Sequence, residues 1–306
     1  MTVDGAAPRT VFVFGSAHHD LMLSVGVLPS PGETVLAGAI AHGFGGKGAN
    51  QAIAAARAGG HVTFVGLVGD DEWAERIVDN LAANGIDTTF VGHRSGEPTG
   101  LAVVIVDDDG GNQIVVASGA GRLFSDEAIL PAIKRVRHGD IVVVQCEIPA
   151  PAVERIVRLA TEAGASVVLN LAPYTALADD ALAAAAVIIV NESEARALVG
   201  EGVALDRLAH DVVEAIGTAC IVTLGGDGSI YAAPDTQAIS VPARHVDNVI
   251  DTTGAGDVYV GTFAARLARD ADVRTAMEDA SSAAALSVLG RGAQSRQPES
   301  AGDLIG

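Results

Sequence analysis

The stretch IVVVQCEIPAPAVERIVRLATEAGASVVLN, residues 141–170, carries the fold in miniature. Residues 141–144 are a short run of β-branched side chains, residues 152–163 repeat apolar positions at helical spacing, and residues 167–169 are a second short apolar run. Strands buried on both faces read as unbroken apolar runs, whereas half-buried strands alternate. A strand, a helix-length crossover and a second such strand make a parallel βαβ unit. The rhythm continues in both directions. Residues 11–14, 62–65, 187–190 and 221–224 read as further buried strands. Residues 50–58, 72–83, 126–136, 206–216, 257–268 and 274–289 read as helices. The pattern predicts an α/β fold, a doubly wound, mostly parallel sheet with helices on both faces.

Two stretches break the rhythm. Residues 21–44 contain Pro29, Pro31 and Gly32, then an alternating run around 34–40. Residues 101–106 and 113–117 flank Asp107-Asp108-Asp109-Gly110-Gly111, a hairpin signal. Both look antiparallel and partly exposed. A small antiparallel β lid is expected, built from inserts at approximately 21–44 and 100–117. No linker or internal repeat divides the chain, so 1–306 is read as one domain, with a loosely packed polar tail after Arg291.

Lys and Arg number 19 and Asp and Glu 38, giving a net charge of −19. Such a surface excludes nucleic acid and anionic membranes as partners, because those bind basic faces. Any phosphate must be held locally, by backbone N–H groups and a few cations. Hydrophobic residues make up 49% and aromatics only 4%, so the core is Ala, Val, Leu and Ile and a disordered class is excluded. Cys146 and Cys220 lie in apolar runs and read as buried thiols in a reducing compartment. Residues 1–10 are unlike a signal peptide, and the longest apolar run, 181–190, is half a membrane span. A cytoplasmic protein is expected.

Four segments could carry chemistry. Asp251-Thr252-Thr253-Gly254-Ala255-Gly256-Asp257 opens a helical run. Small residues at a helix start leave N–H groups bare, and the helix dipole adds positive charge there, which makes an anion pocket. Asp257 at its lip could take a proton from an alcohol attacking a phosphoryl group. The plainer reading is a glycine-rich cap with an acid in the first turn. The second segment, His42 to Gln51, satisfies G-x-G-x-x-G through Gly43, Gly45 and Gly48, with Asp70 following at dinucleotide-site spacing. No buried strand precedes it, and Gly48 follows Lys47 where a Walker A loop has Ser or Thr. What remains is a glycine turn presenting Lys47 and Asn50 to a small polyol.

Asn191-Glu192-Ser193-Glu194 follows a buried strand and reads either as oxygen ligands for a hydrated Mg²⁺ or as a capping box with Asn191 or Ser193 as the cap. Thr223-Leu224-Gly225-Gly226-Asp227-Gly228-Ser229 either wraps a nucleotide phosphate or closes a hairpin. Polar residues also stand at several strand ends, among them Glu147 and Asn170, where open α/β sheets bind ligands. His18 and His19 lack partners at metal-binding spacing. Trp73, Met22 and Met277 read as packing residues.

Taken in order, these segments resemble the ribokinase family of carbohydrate kinases, the phosphofructokinase-B type. The similarity spans roughly 11–294 and rests on the Gly-Gly-Lys-Gly-Ala-Asn-Gln run at 45–51 and the Asp-Thr-x-Gly-Ala-Gly-Asp run at 251–257. Gly15-Ser16, Pro31-Gly32-Glu33, Gly69-Asp70-Asp71, Asn191-x-x-Glu194 and Gly292-Ala293-Gln294 fall in the family's order. The resemblance implies ATP-dependent transfer of the γ-phosphoryl group to a primary hydroxyl of a pentose, D-ribose first. Another sugar, such as 2-deoxyribose or fructose, or a nucleoside is the alternative acceptor.

By matching position, Asp257 would be the catalytic base and Gly254, Ala255 and Gly256 the anion hole. Asp20, Gly46, Lys47, Asn50, Glu147 and Asp257 would hold the sugar. His18 joins them, standing where the pattern Gly-Ser-x-Asn-x-Asp has Asn. Asn191, Thr223, Gly225, Gly228, Gly256 and Ser281 would line the nucleotide. Glu194 would organise Mg²⁺ through water. A monovalent cation, usually K⁺, would lie beside the anion hole at Asp251, Thr253, Ser287, Gly290 and Gly292. Arg296 stands near it where the family has Ser, with Ser295 one residue earlier. The lid would also clasp a second copy, giving a homodimer. Two remoter readings are a dinucleotide-dependent oxidoreductase resting on Gly43, Gly45 and Gly48, and a sugar sensor without turnover.

Overall fold

Period-two alternation divides the buried strands between two cores. In β1 (Thr10–Phe14), Phe12 and Phe14 enter one core while Val11 and Val13 enter the other. The computed structural model, which describes residues 8–294, continues with β2 (His18–Ser24), β3 (Ala39–Gly45), α1 (Lys47–Arg57), β4 (His61–Val68) and α2 (Glu72–Ala83). Next come β5 (Asp87–His93), β6 (Gly100–Val106), β7 (Asn112–Ala117), α3 (Asp126–Ile133), β8 (Ile141–Gln145) and α4 (Ala150–Glu162). Then follow β9 (Ser166–Asn170), α5 (Asp179–Ala184), β10 (Val187–Asn191), α6 (Glu192–Val199), α7 (Leu205–Ile216) and β11 (Cys220–Thr223). The described part closes with β12 (Ser229–Ala232), β13 (Ile239–Val241), α8 (Ala255–Ala268) and α9 (Val273–Ser287).

The main sheet runs β13-β12-β11-β10-β9-β8-β1-β4-β5. Every pair from β11 to β5 is parallel, and β12 and β13 add an antiparallel edge. One core takes Val142, Val144, Leu169 and Val190 from the sheet and Ile129, Ile156 and Leu208 from α3, α4 and α7. The opposite core takes Val143, Val168 and Ile189 and packs Ile53, Ile77, Phe263 and Met277 from α1, α2, α8 and α9. The doubly wound, two-faced sheet is therefore as expected, and Met277 is a packing residue. Both cysteines are free and buried, and burial pushes each thiol up to about 12. Among the described residues no helix is long and apolar enough to cross a membrane.

The lid is a separate four-stranded sheet in the order β3-β2-β6-β7. Its outer pairs are antiparallel and its inner pair, β2 with β6, is parallel. Residues 25–38 form no strand, so the alternation around 34–40 becomes a strand only from Ala39. Strand β5 escaped the apolar-run pattern because Asp87–His93 is a half-exposed edge strand. Helix α1 begins at Lys47, three residues before the expected start, because glycines 46 and 48 mask its first turn in sequence.

Phe263 is fully buried between α8 and the sheet. Phe263→Ala is expected to cost about 3–5 kcal/mol, read as a lower urea midpoint at unchanged m-value.

Candidate active site

The chain leaves β1 toward β4 on one side and reaches β8 on the other. This is the switch point of the sheet, where a crevice opens beyond the strand ends. Residues following β1 and β8 meet there. Ser16 Oγ donates to Glu147 Oε2 at 2.5 Å, and the Lys47 amide donates to the same oxygen at 2.8 Å. Glu147 thus ties the start of α1 to both strand ends and keeps its second oxygen for another partner. Gly46 caps α1 at φ 90°, where an added Cβ would stand 2.7 Å from Ala17 Cα. Only glycine allows that approach.

Helix α8 brings the acid. Gly254 holds the cap position at φ 80° with no side-chain cap bond, and a Cβ there would lie 2.7 Å from the Ala293 backbone. Ala255 N–H donates to Thr252 O and Val258 N–H to Gly254 O, while the amides of Gly256 and Asp257 find no partner among the described residues. Gly256 faces open space. Asp257 is buried, accepting from Asn50 Nδ2 at 2.9 Å and Gln51 Nε2 at 3.0 Å. Burial pushes its carboxyl above the usual range, opposed by the Lys47 charge and the two amide donors. The Lys47 ammonium is held protonated in turn, chiefly by Asp257 and then by Glu147.

The remaining polyol candidates gather at the same place. Asp20 on β2 lies close enough to Glu147 and Asp257 to feel both charges, and its Oδ1 is buried without a partner. Burial first, then those like charges, push its carboxyl to about 7. The His18 ring is buried against Gly100 of β6, its paired residue in the lid, and makes no side-chain hydrogen bond among the described residues. Burial lowers its pKa against the pull of Glu147, so the ring is neutral. Glu194 and Asn191 form a full capping box at 2.8 Å each way, which leaves Glu194 Oε1 free of the cap.

Two cavities meet at this point. The larger, about 570 Å³, is lined by all six residues expected for a nucleotide: Asn191, Thr223, Gly225, Gly228, Gly256 and Ser281. The glycine turn at 225–228 both closes the β11–β12 hairpin and lines this cavity. The smaller cavity, about 70 Å³, is lined by Lys47, Glu194 and Asp257 among others. Asn191, Thr223 and Gly256 border both. Sequence reasoning missed residues 243–246, Val249, Tyr259, Ala284 and Val288, which form much of the larger wall. They carry no motif that a sequence reading could have found.

The expected cation residues also converge. Asp251 accepts from Thr253 N–H at 2.9 Å and from Gly292 N–H at 2.8 Å, and Gly290 N–H reaches Ser287 O at 3.3 Å. The Ser287 hydroxyl donates back to Ala284 O at 2.8 Å. Ser295 and Arg296 lie outside the described residues.

Trp73 differs from its reading as packing alone. His19 stacks on it with ring centroids 3.4 Å apart and planes at 6°, and His19 Nε2 lies 2.9 Å from His42 Nδ1. Two lid strands are thereby pinned to α2.

Bare amides beside a buried carboxylate, at the seam of two cavities, suit passage of an anionic group to an alcohol. The model of the pfkB family carbohydrate kinases matches residues 8–300, and the chain belongs to that family. It is a phosphotransferase with a sugar hydroxyl as acceptor. A ribokinase of Haemophilus influenzae is 35% identical, covering 95% of this chain and 95% of its own. A deoxyribokinase of Salmonella typhi is 36% identical, covering 94% and 95%. The solved ribokinase of Arabidopsis thaliana, complexed with ribose and ATP, superimposes with a TM-score of 0.88 at 28% identity, covering 98% of each chain.

An unfolded Asp20 releases its proton near 3.8 and the folded one near 7, so between these values the folded state holds more protons. Ionisation of Asp20 therefore lowers stability as pH rises through that window. Asp20→Asn is expected to raise the Tm of ligand-free protein at pH 8 and to change it little at pH 4, measured by differential scanning calorimetry.

Proposed function

We propose that this chain is an ATP-dependent kinase of D-ribose, transferring the γ-phosphoryl group to the primary 5-hydroxyl. The observation that carries the reading is the position of Asp257, buried at the seam where the nucleotide-sized cavity meets the small polar one. In this reading ATP occupies the larger cavity and its γ-phosphoryl group reaches the amides of Gly256 and Asp257. The sugar lies among Asp20, Gly46, Lys47, Asn50 and Glu147, with its hydroxyl facing Asp257. The Asp257 carboxylate takes the hydroxyl proton, the sugar oxygen bonds to the γ-phosphorus, and the bond to the β-phosphate oxygen breaks, releasing ADP. The helix dipole, the bare amides and Lys47 stabilise the charge that develops.

Glu194 fits Mg²⁺ held through water, since one carboxylate oxygen remains outside its capping box and lines the small cavity; the ion would neutralise phosphate charge. A monovalent cation at Asp251, Thr253, Ser287, Gly290 and Gly292 would add positive charge beside the anion hole; the Asp251 carboxylate, accepting from the Thr253 and Gly292 amides, ties that segment together. The lid supports a homodimer: Ile114, Val115 and Val116 stand consecutively exposed on its edge strand β7, a surface that invites pairing with a second copy.

His18 is the residue that bears on the choice of sugar, because a neutral imidazole meets the acceptor where the family pattern has an amide. The 36% identity to a deoxyribokinase makes 2-deoxyribose the second reading. A coupled ADP-release assay with ribose, 2-deoxyribose, fructose and adenosine tests both. Ribose should give the highest kcat/KM, with higher activity in K⁺ than in Na⁺; a preference for another acceptor replaces the ribose assignment. Asp257→Asn should lower kcat by about 10²–10⁴ with ADP affinity retained.

A further inference from the structure

Three side-chain amides are linked to Asp257 in one buried chain. Gln145 Nε2 donates to Gln51 Oε1 at 2.7 Å. Gln51 Nε2 donates to Asp257 Oδ1 at 3.0 Å and to Asn170 Oδ1 at 2.8 Å. Asn170 Nδ2 donates to the Ile189 carbonyl at 3.0 Å. Gln51 and Gln145 have no exposed surface at all.

This arrangement leaves Gln51 a single orientation. Turned over, its oxygen would face the oxygens of Asp257 and Asn170, and its NH₂ would face that of Gln145. Gln145 ends β8 and Asn170 ends β9, and the two are paired in register. Two adjacent strand ends therefore hold an α1 side chain that in turn holds an α8 carboxylate. The chain terminates at Gln145 Oε1, which is buried without a partner and packs against Gly15. A Cβ at Gly15 would stand 2.0 Å from that oxygen, so glycine there admits the amide.

We propose that Gln51, locked in one orientation by Gln145 and Asn170, is a positioning residue that holds Asp257 as a carboxylate aimed at the acceptor hydroxyl. The proposal rests on the reading of Asp257 as the base. Other charges face the same carboxyl: Lys47 favours its ionised form, while Glu147, Asp20 and Glu194 oppose it. Asn50 and Gln51 are the neutral partners that favour ionisation, one on each oxygen, and Gln51 is the one held between the ends of β8 and β9.

The test uses Gln51→Met and Gln145→Met, which keep side-chain length and remove the amide. Gln51→Met should lower kcat by about 10- to 100-fold while leaving KM for ATP unchanged. Its acid limb in kcat/KM against pH should move up by about one unit, the effect of losing a hydrogen bond to a charged group. Gln145→Met leaves the donor on Asp257 but frees it to turn, so both quantities should move the same way by less. It carries the test if Gln51→Met fails to unfold cooperatively or to bind ADP. Wild-type kcat with an unmoved acid limb overturns the proposal, as does a rise in KM for ATP matching the loss in kcat. Asp257→Asn measured alongside separates the two claims. Near-wild-type turnover there removes the base reading itself; an inactive Asp257→Asn beside an unaffected Gln51→Met removes only the role of Gln51.

Discussion

An ionisable carboxyl buried at the first turn of α8 is the constraint to which the rest of the site answers. Burying a charge without partners costs several kcal/mol, enough to neutralise the group instead. Asp257 is kept polar by Asn50 and Gln51 on its two oxygens, by the Lys47 charge, and by its place at a helix start. Those partners come from α1, so α1 and α8 must pack closely. They do: Gly261 of α8 lies against the Gln51 carbonyl, where a Cβ would come within 2.2 Å.

The same constraint explains how a chain of net charge −19 can host a phosphate. Positive potential has to be local, and backbone amides supply it without adding basic side chains. Glu147, Glu194 and Asp257 crowd around one lysine, Asp20 stands beside Glu147 and Asp257, and burial raises the Asp20, Glu194 and Asp257 carboxyls. Such a cluster stores unfavourable energy that hydrogen-bond donors or added positive charge would relieve. The lid contributes Asp20 and His18 from β2, and the His19–Trp73 stack fixes where that strand leaves the core.

Legibility varied with the length scale of the signal. The buried strands were readable because continuous β-branched runs have one stable environment, the middle of a parallel sheet. Glycines 46, 48 and 254 were readable because backbone atoms lie 2.7 Å from where a Cβ would stand, and no other residue fits. Strand β5 and the β12–β13 edge were not, since half-exposed edge strands carry mixed side chains. The parallel pairing of β2 with β6 was hidden as well: it joins residues about eighty positions apart, and no local pattern records it. Among site residues, Asn50 and Asp257 lay inside recognisable runs, whereas Val249, Tyr259 and Val288 reach the large cavity only through the packing of α8 and α9.

From the sequence alone came the sheet class, the helix start that bares its amides and the acid beside it, because each depends on neighbours within a few residues. The tertiary structure decided which side chains face Asp257, how the two cavities share Gly256, and that Gln51 is clamped between two strand ends. These depend on residues as far as 207 positions apart, brought together by burial of the two cores and by hydrogen bonds that form only once water has been excluded.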